Sequence, residues 1–517
     1  MTLKLHNTLT GKIDEFVSQQ DGEVKLYTCG PTVYDYPHVG NWASFIYWDI
    51  LVRALAANNY DVERVMNITD VGHLVSDGDE GEDKLEKGAR REGKTAWEIA
   101  EFYTNDFLGG MKQLGLIEPQ HITKATDFIT EQLEIVKALK EKGYTYQISD
   151  GIYFDTSKFP TYADFAHLDL DELRAGARVE FNPEKRNPSD FALWKFTPTG
   201  EKRDMEWDTP SSLLSERGVA SDGAAPAFDI DRVNSKEGAN QATGPTSEKN
   251  TVKGFPGWHL ECSAMALSIL GNTLDIHTGG IDHIPVHHTN EIAQSESVTG
   301  VRFSNYWLHN NHLKVDGTKI SKSLGNGYTL DDLAQRGFSP LDYRMFILQS
   351  HYRSEGNFTF ENLTAAKNRL QNWKAAAVLR HQTHDTLRDD NEKSTDERAL
   401  SLYATSQAIV EALNDDLATP QALKIIDEAF SRLMTARTDD IHRRALINLL
   451  DTIDAVLGLQ LIETTPDISD EAKQLILERH QAREAKSWGR SDELRDQLLS
   501  MGIEVRDTSS GSVWQYK

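Results

Sequence analysis

The sequence predicts an α/β protein built on a parallel sheet and continued by an all-helical region. Three observations carry this. Residues 23–69 read as strand, loop, helix, strand, a βαβ unit that requires a parallel sheet. The α/β signal returns at residues 257–280, as a helix followed by a strand. From about residue 358 onward the text is helical.

Taken in order, "EVKLYTC" (23–29) reads as a buried strand. In "GNWASFIYWDILVRALAANN" (40–59), Phe45, Trp48, Leu51, Val52 and Leu55 recur at helical spacing. "DVERVMNIT" (61–69) reads as a second strand, and residues 95–145 read as helical. "DGIYFDTSKF" (150–159) and the polar stretch after it break the pattern, which predicts an inserted subdomain. Residues 211–253 are rich in Ser, Gly, Ala and Asn and poor in large apolar groups. They bury too little surface to offset their ordering entropy, so a long disordered loop is expected. A helix at 257–270 and a strand at 273–280 follow. "HNNHLKVDGTKISKS" (309–323) carries a Val-Asp-Gly turn inside a hairpin. Four amphipathic runs after 358 form a helical bundle. A Thr-Pro-Asp break at 465–467 leads into one more helix, and the chain closes on a small strand pair.

Composition narrows the class. At 517 residues, with 39 % hydrophobic and 26 % charged side chains, the chain is an ordinary globular one of several domains. No apolar run reaches the roughly 18 residues of a membrane span, and no secretory h-region opens the sequence. Two cysteines argue against a disulfide framework and point to the cytoplasm. A net charge of −25 argues against wholesale nucleic-acid binding. It leaves room for a local basic face: residues 471–517 hold eight Lys/Arg against eight Asp/Glu.

Two features could carry chemistry. Cys29 and Cys262 are the only cysteines, and His287 and Glu291 are four residues apart, so on a helix they share a face. Two thiolates, an imidazole and a carboxylate suit Zn²⁺. Spacing alone does not bring them together, and buried cysteines beside a surface His–Glu pair remain an open reading. "PHVGN" (37–41) stands where a strand gives way to a helix, a place that favours anions. "KISKS" (319–323) offers two lysines on a loop. Such a loop stabilises charge developing on phosphate oxygens, or is simply a solvated turn.

Together, His-x-Gly-Asn at 38–41 and Lys-Ile-Ser-Lys-Ser at 319–323 form the paired signature of class I aminoacyl-tRNA synthetases. With "YTCGPTVYDYPHVGN", "NITDV", "SDFALWK", "PGWHLECSAMA", "DIHTGGID", "HHTNEIAQSES" and "VDGTKISKSLGN", the chain resembles the cysteinyl-tRNA synthetase family. The resemblance reaches the C-terminus through "DELRDQLLSMGIEVRDT" and spares only 211–253 and a stretch near 71–82. It implies a Rossmann-type catalytic domain in two halves (1–124 and 205–300) around a connective insertion (125–204). A KISKS-loop region (301–357), a helical bundle (358–465) and an anticodon-end module (466–517) would follow.

The resemblance also implies roles. Cys29, Cys262, His287 and Glu291 would hold one Zn²⁺, which selects the thiolate of L-cysteine. Thr69, Trp258 and His277 would line the cysteine pocket. His38, Asn41, Lys319 and Lys322 would be catalytic. Thr32, Gly40, Gly279, Gly280, Asp282 and Lys322 would meet ATP with its Mg²⁺. Arg483, Asp492 and Asp507 would face the anticodon of tRNA-Cys. The implied enzyme is a monomeric, cytoplasmic cysteine–tRNA ligase with no membrane partner. Its rivals are a ligase joining cysteine to a small amine and an inactive RNA-binding paralogue. The chain departs from the family in four places. It is longer after Thr69, where the acidic run 77–83 reads as solvated. It has Thr289 where Glu is usual, and Trp42 and Ala43 where an Arg is common. It carries the extra loop 211–253, read as an inert surface extension rather than a lid.

Overall fold

The computed structural model describes residues 2–72, 84–168, 182–214, 252–382, 397–437, 440–508 and 511–517. The expectations for 77–83 and for most of the loop 211–253 fall outside the described residues.

The chain opens with a hairpin of β1 (Lys4–Asn7) and β2 (Lys12–Glu15). It continues through β3 (Glu23–Thr28), α1 (Val39–Ala57), β4 (Asp61–Ile68), α2 (Lys84–Glu92), α3 (Ala96–Gln113), β5 (His121–Lys124) and α4 (Ile129–Glu141). Strands β6 (Thr145–Ile148), β7 (Gly151–Phe154), β8 (Phe191–Phe196), β9 (Trp207–Asp208) and β10 (Lys253–Pro256) follow. Next come α5 (Trp258–Leu270), β11 (Leu274–Gly280), α6 (Thr289–Thr299) and β12 (Ser304–Asn310). After β13 (Leu313–Val315) and β14 (Thr318–Lys319) lie α7 (Leu330–Gln335), α8 (Pro340–Leu348) and β15 (Gly356–Phe358). The helices α9 (Phe360–Ala377), α10 (Glu397–Leu413), α11 (Thr419–Thr435), α12 (Arg443–Leu457), α13 (Asp470–Glu484) and α14 (Trp488–Ser500) lead to the hairpin β16 (Ile503–Thr508) and β17 (Gly511–Tyr516).

Five strands form one parallel sheet in the order β12-β11-β3-β4-β5. The chain runs outward from β3 to β5 and returns on the other side of β3 as β11. The strand order therefore reverses between β3 and β11, and ligands bind at the carboxyl ends beside such a reversal. A second, antiparallel sheet has the order β6-β7-β8-β10-β9, and its strands β9 and β10 lie beyond the 125–204 expected for an insertion.

Two expectations need correction. Residues 95–145 are not helical throughout, because β5 interrupts them and pairs parallel with β4. Four residues at a sheet edge are too short to show a period of two. After the 465–467 break stand two helices rather than one. Their turn is made by Lys486 at φ 57° with no glycine to mark it. The Val-Asp-Gly turn behaves as expected: Asp316 and Gly317 both take positive φ and close β13 onto β14.

Helix α1 is buried around most of its circumference, between the parallel sheet and the helical region. At its centre the fully buried Asp49 meets Arg53 at 2.7 Å and also pairs with Arg344 of α8. Arg53 donates to the carbonyls of Gly115, Asp454 and Ala455, and Arg344 to those of Leu114 and Leu457. These carbonyls close α3 and α12, where the last turn lacks partners of its own. Burial pushes the Asp49 carboxyl up, but Arg344 and Arg53 outweigh it and hold it below its ordinary value. At the far end, Gln382 exchanges two hydrogen bonds with the backbone of Trp514 (2.8 and 2.7 Å), docking the last hairpin on the bundle. No helix among the described residues is long and apolar enough to cross a membrane.

Replacing Asp49 by Asn leaves two buried guanidinium groups without their counter-charge. The expected loss is about 3–5 kcal/mol of stability, read as a lowered denaturation midpoint.

Candidate active site

The site assembles where β3 and β11 end. Cys29 follows β3, and its N–H donates to the carbonyl of Thr278 on β11. The loop then crosses the end of β4: Thr69 N donates to Pro31 O at 3.0 Å, and Thr32 bridges to Thr69. The Thr69 hydroxyl accepts from Asn67 Nδ2 (3.0 Å) and donates to Glu261 Oε2 (3.1 Å), so its direction is set.

Helix α5 carries Cys262 in its second turn. A π-helical turn, Ile284–His288, runs into α6 and supplies His287 and then Glu291. Such widened turns cluster at functional sites because they re-aim side chains. The ligand atoms of Cys29, Cys262, His287 and Glu291 all lie within 4.8 Å of one another. Cys262, His287 and Glu291 are buried, while Cys29 is half-buried. Glu291 Oε2 takes a hydrogen bond from His277 Nε2 at 2.9 Å. Its Oε1 lies 2.8 Å from His287 Nε2. An imidazole nitrogen and a carboxylate oxygen thus face one spot that two sulfurs also face. This donor set fits Zn²⁺. A second combination, Cys29, His277, His288 and Glu291, is equally compact but brings only one sulfur.

The electrostatics agree with a cation site. Hydrogen bonding from Cys262, helped by His283, His287 and His288, holds the Cys29 thiol well below its ordinary value despite burial. The Cys262 thiol is pushed up by sharing that bond and by burial. The thiolate is the form of cysteine that binds a metal, so a lowered Cys29 thiol favours a cation at this spot. Burial pulls His287 down, but the Glu291 carboxylate raises it to about 10. His288 falls to about 4 through burial and the neighbouring His277.

Around this cluster, Trp258 packs its ring 4.6 Å from that of His287. The fully buried His277 stacks on Trp307, also at 4.6 Å. A Cβ on Gly279 would lie 2.6 Å from His283 Nδ1, so glycine is needed there. Gly280 ends β11, and Asp282 is exposed beyond it.

The His-x-Gly-Asn motif begins α1 as a reciprocal cap. His38 Nδ1 accepts from Asn41 N (3.2 Å), and Asn41 Oδ1 accepts from His38 N (3.0 Å). A Cβ on Gly40 would come within 2.8 Å of Ile320 Cδ1, so the Lys-Ile-Ser-Lys-Ser loop rests directly on the start of α1. Asn326 shapes that loop by accepting from Ser321 N and donating to Lys319 O. Lys319 is exposed on β14, and Lys322 opens the turn Lys322–Leu324.

At the C-terminal end, Arg483 reaches Asp507 at 3.1 Å and lies over the Trp488 ring. Asp492 stands apart, exposed and paired with Arg495. Sequence reasoning missed the buried Arg479, which grips Asp507 with two 2.8 Å bonds. It also missed Asn67, Glu261 and His288. Asn67 and Glu261 lie inside the quoted motifs, and His288 is the second residue of a His-His pair. Trp42, in place of an expected Arg, is core, stacked on Phe107 at 5.2 Å.

Arg479 first, then Ser512 and Arg483, lower the Asp507 carboxyl to about 2 against the effect of burial. Its contribution to stability is therefore complete above the unfolded value of about 3.9 and fades as pH falls toward 2. Asp507→Asn is expected to be less stable at neutral pH and to show a flatter acid profile between about pH 4 and 2. Trp514 fluorescence during unfolding would measure both.

Residues 15–213 and 235–368 match the family described as the tRNA synthetases class I (C) catalytic domain, and residues 465–514 match the cysteinyl-tRNA ligase anticodon binding domain. Among curated relatives, a cysteine–tRNA ligase of Treponema denticola is 38 % identical over 539 residues, covering 100 % of both chains. Cysteine–tRNA ligase 1 of Burkholderia lata is 40 % identical over 516 residues, covering 99 % of this chain and 96 % of its own. The fold is shared with Mycobacterium tuberculosis methionyl-tRNA synthetase bound by methionyl-adenylate, at 14 % identity and a TM-score of 0.54, covering 91 % of this chain and 96 % of that one. With both halves of the motif set, the C-terminal domain and full-length relatives in agreement, the chain belongs to the cysteinyl-tRNA synthetase family of class I.

Proposed function

We propose that the protein joins L-cysteine to tRNA-Cys with ATP, through a cysteinyl-adenylate. The observation that carries this reading is that both cysteines of the chain enter one buried cluster with His287 and Glu291, at the end of the central strand. Zn²⁺ held there would accept the thiolate of the substrate, a ligand that serine and alanine do not match. Thr69, Trp258 and His277 form the walls around it. A site built for one polar partner can discriminate by about 10⁴–10⁵ without editing.

The start of α1 presents backbone N–H groups and the capped His38 and Asn41 to the ATP phosphates. Gly40 lets the facing loop approach, and Lys319 and Lys322, which belong to that loop, would stabilise charge on the same anion. Thr32, Gly279, Gly280 and Asp282 border the adenosine side, with Asp282 as ribose acceptor. The cysteine carboxylate attacks the α-phosphate in line and pyrophosphate leaves with Mg²⁺. Positioning and fixed positive charge do most of the work. The terminal ribose hydroxyl of the tRNA then attacks the adenylate. Arg483, Asp492 and Asp507 face the anticodon. With both cysteines free thiols, the reading places the protein in a reducing cytoplasm.

The test is transfer of labelled cysteine to a tRNA-Cys transcript with ATP and Mg²⁺, with and without a zinc chelator. Charging that the chelator abolishes is expected. Cysteine-dependent ATP–pyrophosphate exchange without transfer would favour a small-amine ligase instead.

A further inference from the structure

Residues 259–267 of α5 are all buried, yet three of those around Cys262 are polar. His259, Glu261 and Ser263 are each at most 1 % exposed. A polar side chain taken from water costs free energy unless it is hydrogen-bonded. Each of these three reaches a different element. His259 Nδ1 meets His287 Nδ1 at 3.0 Å. Glu261 accepts from the Thr69 hydroxyl, which accepts from Asn67 Nδ2. The other half of that amide, Asn67 Oδ1, accepts from Gly30 N at 2.8 Å. Ser263 accepts from Gln294 Nε2 at 2.7 Å and from Ser295 Oγ at 2.9 Å, both on α6. Asn67, Thr69, Gln294 and Ser295 are buried as well.

These bonds end beside the four residues of the cluster. Gly30 follows Cys29, and Glu261 and Ser263 flank Cys262. Gln294 lies three residues, one helical turn, beyond Glu291. His287 turns its Nε2 to Glu291 and its Nδ1 to His259. A partner on the second ring nitrogen is what fixes the orientation of a metal-binding imidazole. Asn67 acts where the ladder between β3 and β4 stops: backbone pairing ends at Thr28 and Met66, and the side-chain amide takes the N–H of Gly30. A Cβ on Gly30 would lie 1.7 Å from Asn67 O, so the two backbones touch there.

We infer that Asn67, His259 and Ser263 are positioning residues for Cys29, Cys262, His287 and Glu291, a buried polar frame that holds their donor atoms at the spacing Zn²⁺ takes. This rests on the zinc reading above. Asn67 ties the end of β3 to Thr69 and, through it, to α5. His259 aims the His287 ring from α5, and Ser263 ties α5 to α6. Apolar side chains at these positions would bury as well, but they would leave the three elements free to shift against one another.

The test titrates full-length wild type, Asn67→Ala, His259→Phe and Ser263→Ala with Zn²⁺ and with Co²⁺ against a competing chelator. Thr405→Val, which removes one buried hydroxyl from α10, is the control for a loss of stability alone. Asn67→Ala and His259→Phe are expected to lower metal affinity about 10–100-fold. They should also weaken and shift the cobalt absorption that reports thiolate ligation and tetrahedral geometry. Ser263→Ala removes a single oxygen and should lower affinity in the same direction, so it carries the test if the other two fail to fold. Thr405→Val should leave affinity and spectrum unchanged. Variants that match a metal-binding wild type in affinity and spectrum, or an equal loss in Thr405→Val, overturn the frame alone. A wild type without thiolate–cobalt absorption defeats the zinc reading and the frame with it.

Discussion

The buried carboxylate of Asp49 is the contact on which the arrangement of the molecule turns. It sits midway along α1, whose first residues hold the His38–Asn41 cap, and binds two arginines that in turn close α3 and α12. Residues 49, 114, 344 and 457 are distant in sequence and share one knot. A buried ion pair of this kind adds little stability over apolar packing, but breaking it is costly. Its value here is positional. It fixes how the helical region meets the helix that starts with the His38–Asn41 cap.

The same economy sets the cluster of Cys29, Cys262, His287 and Glu291. Because the sheet order reverses between β3 and β11, the first residue after β3 and the last residues of β11 come together at one edge of the site. Helix α5 then adds Cys262 from its second turn, the π-helical turn adds His287, and the first turn of α6 adds Glu291. Taking a thiol, an imidazole and a carboxylate out of water is expensive unless they are paired. The hydrogen bond from His277 to Glu291 reduces that cost before any cation enters.

Much of this was legible in the sequence, for identifiable reasons. The βαβ unit showed because α1 is long and apolar and its flanking strands are buried. The hairpin at 313–319 showed because Asp-Gly supplies two positive φ angles. The cluster of Cys29, Cys262, His287 and Glu291 did not follow from spacing, since 233 positions separate the cysteines; only the family resemblance joined them. What stayed hidden depends on tertiary contact. Strand β5 is too short for a period, and the α13–α14 turn uses a lysine where glycine is common. Arg479, Arg53 and Arg344 look like ordinary surface charges until the fold buries them.

The claim at the centre is that two sulfurs, one imidazole and one carboxylate hold a single zinc. X-ray absorption at the zinc edge of the purified protein tests it most directly. Two sulfur scatterers at about 2.3 Å with nitrogen and oxygen at about 2.0–2.2 Å are predicted, with a third sulfur on adding cysteine. A shell with one sulfur would assign the metal to Cys29, His277, His288 and Glu291 instead. A shell without sulfur, or a protein that retains no zinc, would contradict the account.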